Sequence, residues 1–205
     1  MTGVGGFEAI VLAAGAGTRF GGGKLLAPYG AGVLLEGALR AAFAAPVRGV
    51  TVVTGSDPSR VGAAVMAYAR QAGCYERLRV VHAVDHAEGM GASLRHGAAA
   101  LPADTEAVFV FLGDMPRIPV SVLVPLAQAV RDGAPAAAAS FGGKRGHPAV
   151  IGAALIPQLL TLQGDAGARA VLQGLGDQLV LIEAPDGGVL FDVDKPADLD
   201  DGAKK

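Results

Sequence analysis

Two cations lie within a stretch that is otherwise mostly glycine. Leu12-Ala13-Ala14-Gly15-Ala16-Gly17-Thr18-Arg19-Phe20-Gly21-Gly22-Gly23-Lys24 holds five glycines within nine residues, with Arg19 and Lys24 placed among them. Glycine takes positive φ at no steric cost and lets a backbone come close to a ligand, so successive N–H groups can converge on one anion. Arg19 and Lys24 add the full charges that neutral amides lack. This is the chemistry of a polyphosphate cradle. Two carboxylates further along suit the same ligand: Asp114 in Gly113-Asp114-Met115-Pro116, and Asp194 in Phe191-Asp192-Val193-Asp194-Lys195-Pro196. Mg²⁺ takes one or two carboxylates and completes its octahedron with phosphate oxygens and water. Each carboxylate has a second reading as a cap for the helix that follows it.

Other glycine loops fit poorly. A dinucleotide fingerprint needs G-x-G-x-x-G and an acidic residue at the end of the next strand. Here the spacing is G-x-G-x-x-x-G, and Val50-Thr51-Val52-Val53 ends in Thr54-Gly55 without a carboxylate. A P-loop needs a glycine five positions before its G-K pair and Ser or Thr after the lysine; Thr18 and Leu25 stand there instead. No Ser-His-Asp order or Cys-His pair accompanies these turns. Phosphoryl-type transfer needs no protein nucleophile, only positioning, a metal and cations. Arg19, Lys24 and Asp114 are therefore the catalytic candidates.

The elements that must hold these residues follow from periodicity. Ala9-Ile10-Val11-Leu12 is unbroken apolar, the pattern of a strand covered on both faces, and spans about 7–13. Leu34, Leu35, Ala38, Leu39 and Ala42 keep a helical period up to Pro46. A second strand falls near 49–54, and Asp57-Pro58 opens a helix carrying Val61, Val65 and Tyr68. A third strand, Leu78 to Val81, reaches His82; the turn Glu88-Gly89-Met90-Gly91-Ala92-Ser93 opens another helix. Ala107 to Leu112 is almost wholly apolar and must be a central strand delivering Asp114. After Gly133, strands are expected at 136–140 and 146–151, joined by Phe141 to Arg145 as a hairpin or a flap. Short helices near 153–162 and 166–174, strands near 178–183 and 189–193, and a last helix from Pro196 complete the chain. Alternating strands and helices imply a three-layer α/β/α sandwich, Rossmann-like, with a mainly parallel sheet and one antiparallel element. Ligands of such sheets sit beyond the carboxyl ends of the strands. On strand alternation, Asp192 faces away from Asp194 and does not share its ion.

The pattern L-A-A-G-x-G-x-R-F-G-x-x-K-L-L resembles the signature loop of the MobA-like nucleotidyltransferases, and the chain from 8 to 199 is most similar to their molybdenum cofactor cytidylyltransferase branch. The resemblance implies the nucleotide-diphospho-sugar transferase fold in a single domain, 1–205, with a nucleotide part at about 7–118 and an acceptor part at about 134–195. It implies transfer of CMP from CTP to molybdenum-bound molybdopterin, with a molybdoenzyme or its chaperone as recipient of the product. Magnesium, with Mn²⁺ as alternative, falls on Asp114 and Asp194; Lys195 stands where the family usually has Thr. Leu12, Ala13, Ala14, Gly15, Gly17, Thr18, Arg19 and Lys24, with Gly89, Gly91 and Ser93 of the G-M-G-x-S-L turn, fall on the nucleotide. His147 of Gly146-His147-Pro148, with Asp165 and Arg169 of G-D-x-G-A-R, fall on the acceptor side. By residue type alone, Ser93 and Asp165 also read as helix caps, His147 as a structural or general-base histidine, and Lys144 and Arg145 as solvated hairpin charges or a lure for an anion. Ala13-Ala14 resembles the CTP branch. The alternatives are a GTP-using or other small-molecule nucleotidyltransferase of this fold, and a non-catalytic carrier or maturation partner for the cofactor.

Composition bounds the rest. At 205 residues and 51% hydrophobic, the chain can bury a substantial core; its net charge of −2 gives no footprint for nucleic acid or an anionic membrane. A single cysteine, Cys74, excludes an internal disulfide and a thiolate zinc cluster. No stretch approaches membrane-span length, and Glu8 interrupts the first apolar run, so a cytoplasmic protein is expected.

Overall fold

The computed structural model describes residues 6–200. Among the described residues nine strands form: β1 (Phe7–Ala13), β2 (Pro28–Tyr29), β3 (Gly32–Val33), β4 (Val50–Thr54), β5 (Leu78–His82), β6 (Ala107–Leu112), β7 (Ala136–Phe141), β8 (Lys144–Gly152) and β9 (Leu179–Glu183). The helices are α1 (Leu34–Ala44), α2 (Pro58–Gln71), α3 (Met90–Ala99), α4 (Leu123–Arg131), α5 (Ile156–Leu159), α6 (Gly167–Gln173) and α7 (Ala197–Asp200). Seven strands make one sheet in the order β5-β4-β1-β6-β8-β7-β9, while β2 and β3 form a separate ribbon. β8 runs antiparallel to both neighbours, β6 and β7; the other pairings in the sheet are parallel. This is the expected sandwich with its one reversed strand.

Strand alternation divides the apolar residues between two cores. Phe7, Ala9, Val11 and Ala13 pack with α1, α2 and α4 on one face. Ile10 and Leu12 pack with α3, α5 and α6 on the other. All seven β1 residues are buried, as a double-sided strand requires. Glu8 is the polar member, and its carboxylate accepts from Arg48 Nε at 3.0 Å at the end of the sheet remote from the glycine loop.

One expectation fails. The region near 189–193 is no strand: Gly187–Leu190 is a 3₁₀ turn, and the chain to Asp194 is irregular. The Asp186 carboxylate accepts from Gly188 N–H at 2.8 Å, and the Gly188 backbone presses on the Arg117 carbonyl where a Cβ would not fit. That local turn outcompetes strand pairing. The glycine loop reaches α1 only through further short elements. It forms 3₁₀ turns at Thr18–Phe20 and Lys24–Leu26, then the β2–β3 ribbon, before α1 begins.

Candidate active site

The glycine loop leaves β1 beside β6, so it meets Asp114 directly. Lys24 Nζ donates to Asp114 Oδ2 at 2.7 Å and lies 3.8 Å from Asp194 Oδ1; Arg19 Nη1 reaches Asp194 Oδ2 at 3.4 Å. Four residues singled out in the sequence thus form one charge cluster. Gly17 makes this possible: at φ +60° it turns the loop, and a Cβ there would stand 2.9 Å from Lys24 Cβ. Further on, Gly21, Gly22 and Gly23 all take positive φ, so the loop's course suits glycine alone. The Lys24 side chain is only 13% exposed, against 78% for Arg19. The Lys24–Asp114 pair is therefore the stronger contact, while the Arg19–Asp194 pair is worth about 0–1 kcal/mol.

Neither carboxylate acts as a cap. Asp198 Oδ2 accepts from the backbone N–H groups of Asp194 and Lys195 at 2.9 and 2.7 Å, which leaves the Asp194 carboxylate to the two cations. Val193 N–H donates to the Asp114 carbonyl at 3.1 Å, tying the two carboxylate-bearing segments together. Arg117 adds a second tie: its guanidinium lies 3.8 Å from the Phe191 ring centroid, and its Nε donates to Tyr29 Oη at 2.9 Å. Because residues 191–194 are not a strand, alternation does not turn Asp192 away. Its carboxyl is pushed up from 3.8, first by loss of water around it and then by the charges of Asp194 and Asp114. Asp192 therefore belongs to the same acidic neighbourhood. Among the described residues, no three His, Cys, Asp or Glu side chains gather in a metal-binding arrangement.

A pocket of about 530 Å³ opens beside this cluster. Leu12, Ala14, Gly15, Gly17, Thr18, Lys24, Gly89, Ser93 and Asp114 all line it, as does Asp165. Ala13 is instead packed in the core below. Gly89 caps α3 without any side-chain bond, and of the amides opening that helix Gly91 N–H is taken by the Gly164 carbonyl while, among the described residues, those of Met90 and Ala92 face no such partner. Ser93 lies inside the first turn of α3, beyond the cap position, and its cap reading fails. Gly91 N–H donates to the Gly164 carbonyl at 2.7 Å, and a Cβ on Gly91 would stand 2.8 Å from that oxygen. The G-M-G spacing thus admits the Gly164-Asp165 loop to the pocket wall. His86 also lines the pocket, and nothing in its sequence surroundings signals that.

Gly89 sits at φ +123°, and a Cβ there would lie 2.5 Å from the Gly164 carbonyl carbon. Gly89→Ala is expected to displace the 163–166 loop and weaken nucleotide binding by about tenfold or more, combining strain with overpacking. Calorimetric titration of the folded variant checks this; wild-type affinity would show that the close approach is dispensable.

His147 and Arg169 meet in a second pocket of about 620 Å³, with Arg145, Leu172, Leu179 and Leu181. Asp165, four positions before Arg169, faces the first pocket instead. Lys144 lines neither pocket, and the 141–145 linker is a hairpin: Gly142 N–H and Ser140 Oγ donate to Glu183 at 2.7 and 2.8 Å. Burial lowers the His147 pKa below 6.5, outweighing the Val110 carbonyl and Asp114, and Nδ1 is buried without a partner. A depressed histidine pKa means that the unfolded chain binds the proton more readily. The neutral ring's stability contribution is complete above about 6.5 and lost as pH falls below it. His147→Gln is expected to flatten the fall in Tm between pH 7 and 5; thermal melts at both pH values decide it.

Residues 9–179 match the family model of the MobA-like NTP transferase domain. The chain belongs to that family. It is 27% identical over 192 residues to the Escherichia coli protein named molybdenum cofactor cytidylyltransferase, covering 93% of this chain and 92% of the relative. Among solved structures, a Mycobacterium sp. strain JC1 homologue of Mycobacterium tuberculosis rv0371c superposes with a TM-score of 0.81 at 25% identity, covering 97% of this chain and 98% of the other. A nucleotidyl transferase from Methanothermobacter gives a TM-score of 0.72 at 25% identity, covering 94% and 93%. Lys24 of the glycine loop and Asp114 of the Gly113-Asp114-Met115-Pro116 turn both fall within the matched residues. The protein is a nucleotidyltransferase of this family. No helix among the described residues is long and apolar enough to cross a membrane.

Proposed function

We propose that this protein transfers CMP from CTP to the phosphate of molybdenum-bound molybdopterin, forming the cytosine dinucleotide of the cofactor and pyrophosphate. The observation that carries the reading is Lys24, anchored 2.7 Å from Asp114 on the wall of a glycine-lined pocket. The second pocket, lined by Arg145, His147 and Arg169, offers a second substrate a site of its own. The name of the Escherichia coli relative supports the choice of CTP and of molybdopterin.

In this reading the loop amides and the open N-terminus of α3 bind the nucleotide in the first pocket. The group at its rim is Mg²⁺, with Mn²⁺ as the alternative, held by Asp114 and Asp194. Those residues fit it: the Lys24 ammonium already lies within 4 Å of both carboxylates, so their arrangement accommodates positive charge. Bound there, the ion supplies Lewis-acid neutralisation of phosphate charge. Lys24 and Arg19 then face the departing pyrophosphate, where preorganised charge lowers the barrier most.

Calorimetric titration of CTP, GTP, ATP and UTP with Mg²⁺ tests the proposal. Preference for CTP is expected. Preference for GTP would move the protein to a guanylyl reaction on the same fold, and failure to bind any nucleotide would leave a non-catalytic carrier of the cofactor.

A further inference from the structure

Arg95 lies in the second turn of α3 and does not line the first pocket, yet it holds two segments that do. Its Nη2 donates to Asp85 Oδ2 and, at 3.4 Å, to Glu88 Oε2. These two carboxylates flank His86 and Ala87, which line the pocket. Its Nη1 donates to the Leu162 carbonyl at 2.7 Å, just before the loop whose Gly164 carbonyl accepts from Gly91 N–H and whose Asp165 lines the pocket. One planar guanidinium therefore fixes both segments from behind, with a fork of donors that lysine lacks. His96, the next residue of α3, bonds Asp85 Oδ1 through Nε2 at 2.7 Å, so both oxygens of that carboxylate are engaged.

These bonds outweigh the loss of water around them. Burial acts against the Asp85 carboxylate, but Arg95 and His96 hold its carboxyl below 3.8. Arg95 and Asp85 are each 27% exposed, so solvent screens the pair only in part. The sheet order shows which part of a nucleotide the braced segments meet. In β5-β4-β1-β6, His86 follows β5 while Asp114 follows β6, with β4 and β1 between them. Lys24 pairs with Asp114, so the phosphates belong on that side. The nucleoside is left to the His86 and Asp165 side, and among the described residues Lys24 is the only lysine or arginine lining the pocket.

We propose that Arg95 is a positioning residue for base discrimination: without touching the nucleotide, it places His86 and Asp165 so that the pocket binds one base better than another. The inference rests on the proposed transferase reading and deepens it, naming a determinant of nucleotide choice that lies outside the pocket. Among the lining residues, His86, Ser93 and Asp165 bring polar side chains to the nucleoside side. Ser93 is on α3 itself and is set by the helix. His86 and Asp165 are outside it, on segments that Arg95 ties to α3. Without Arg95, the Gly91–Gly164 bond still holds one segment and the His96–Asp85 bond the other, but no side chain joins both. Hydrogen bonds to base edges weaken steeply with distance and angle, so a displacement of about 1 Å forfeits much of the discrimination they supply.

The test titrates CTP and GTP, each with Mg²⁺, calorimetrically into the wild type, Arg95→Met and Arg95→Lys. Arg95→Met keeps much of the side chain's bulk and removes all three bonds. It is expected to bind the preferred nucleotide at least about tenfold more weakly and to narrow the preference between the two at least about fivefold, the scale of losing well-placed polar contacts. Arg95→Lys keeps a charge for Asp85 but loses the second arm for Leu162, so its preference should lie between those of the other two. Hydrogen exchange in Arg95→Met should quicken at 85–88 and 162–166 while the amides of β1 and β6 stay protected, which also certifies the fold. The ratio of the two affinities is decisive, because a residue that merely stabilised the fold would weaken both nucleotides alike. The inference is overturned if the wild type binds CTP and GTP equally, if either variant keeps the wild-type preference, or if both affinities fall by the same factor. A wild type that binds neither nucleotide is a separate result: it refutes the transferase proposal and the inference with it.

Discussion

Asp114→Ala is expected to lower kcat/KM by about 10³ or more while leaving the protein folded. The side chain is a quarter exposed, lines the pocket and pairs with Lys24, so its loss opens no core cavity. Removal of a single preorganised electrostatic group at a reacting centre costs on the order of 10²–10³ in rate. Here the same substitution also removes half of a two-carboxylate cation site and frees Lys24, which places the effect at the upper end. Steady-state pyrophosphate release at saturating nucleotide and metal measures it. Retention of wild-type turnover would remove Asp114 from the reaction, and a Tm drop of many degrees would mean that the substitution reports on folding instead.

Lys24→Met should be nearly as damaging to turnover and should carry a second signature. In metal-free buffer the ammonium is the charge within reach of both Asp114 and Asp194, and Asp192 is close enough for its own carboxyl to be raised by theirs. Without Lys24, carboxylates at the rim repel one another with only the exposed Arg19 to offset them. The pair is half-shielded, so the cost lies between the values for exposed and buried pairs, about 1–3 kcal/mol. Thermal unfolding in EDTA should show that loss, and millimolar Mg²⁺ should reverse much of it, because a bound cation stabilises the folded state by mass action. An unchanged Tm in EDTA would show that the ion pair does not form. A loss that Mg²⁺ fails to reverse would show that the two carboxylates do not take the ion.

The sequence alone determined the strongest local signals. β1 and β6 were legible because a strand covered on both faces must be apolar throughout, and few other elements look like that. The glycine loop was legible because positive φ at Gly17, Gly21, Gly22 and Gly23 restricts residue type directly. Asp114 followed from its place at the end of a central strand. One reversed strand followed from two short apolar runs separated by Gly142-Gly143, too close for a crossover helix.

Tertiary structure decided what depends on distant partners. Lys24 and Asp114 are 90 positions apart, and only the adjacency of β1 and β6 brings them together. The 189–193 segment has strand-like alternation, but Asp186 and the Arg117 carbonyl offered its backbone a better local arrangement, and Asp192 joined the acidic rim as a result. Asp165 and Arg169 are neighbours in one motif, yet they serve different pockets because α6 starts between them, at Gly167. A residue before a helix and one inside it share no face, and no spacing rule reveals that until the helix boundary is known. The pairing of Arg145 with Arg169 was equally hidden. It arises where a reversed strand and a short helix both line the second pocket, beside Leu179 and Leu181 of β9.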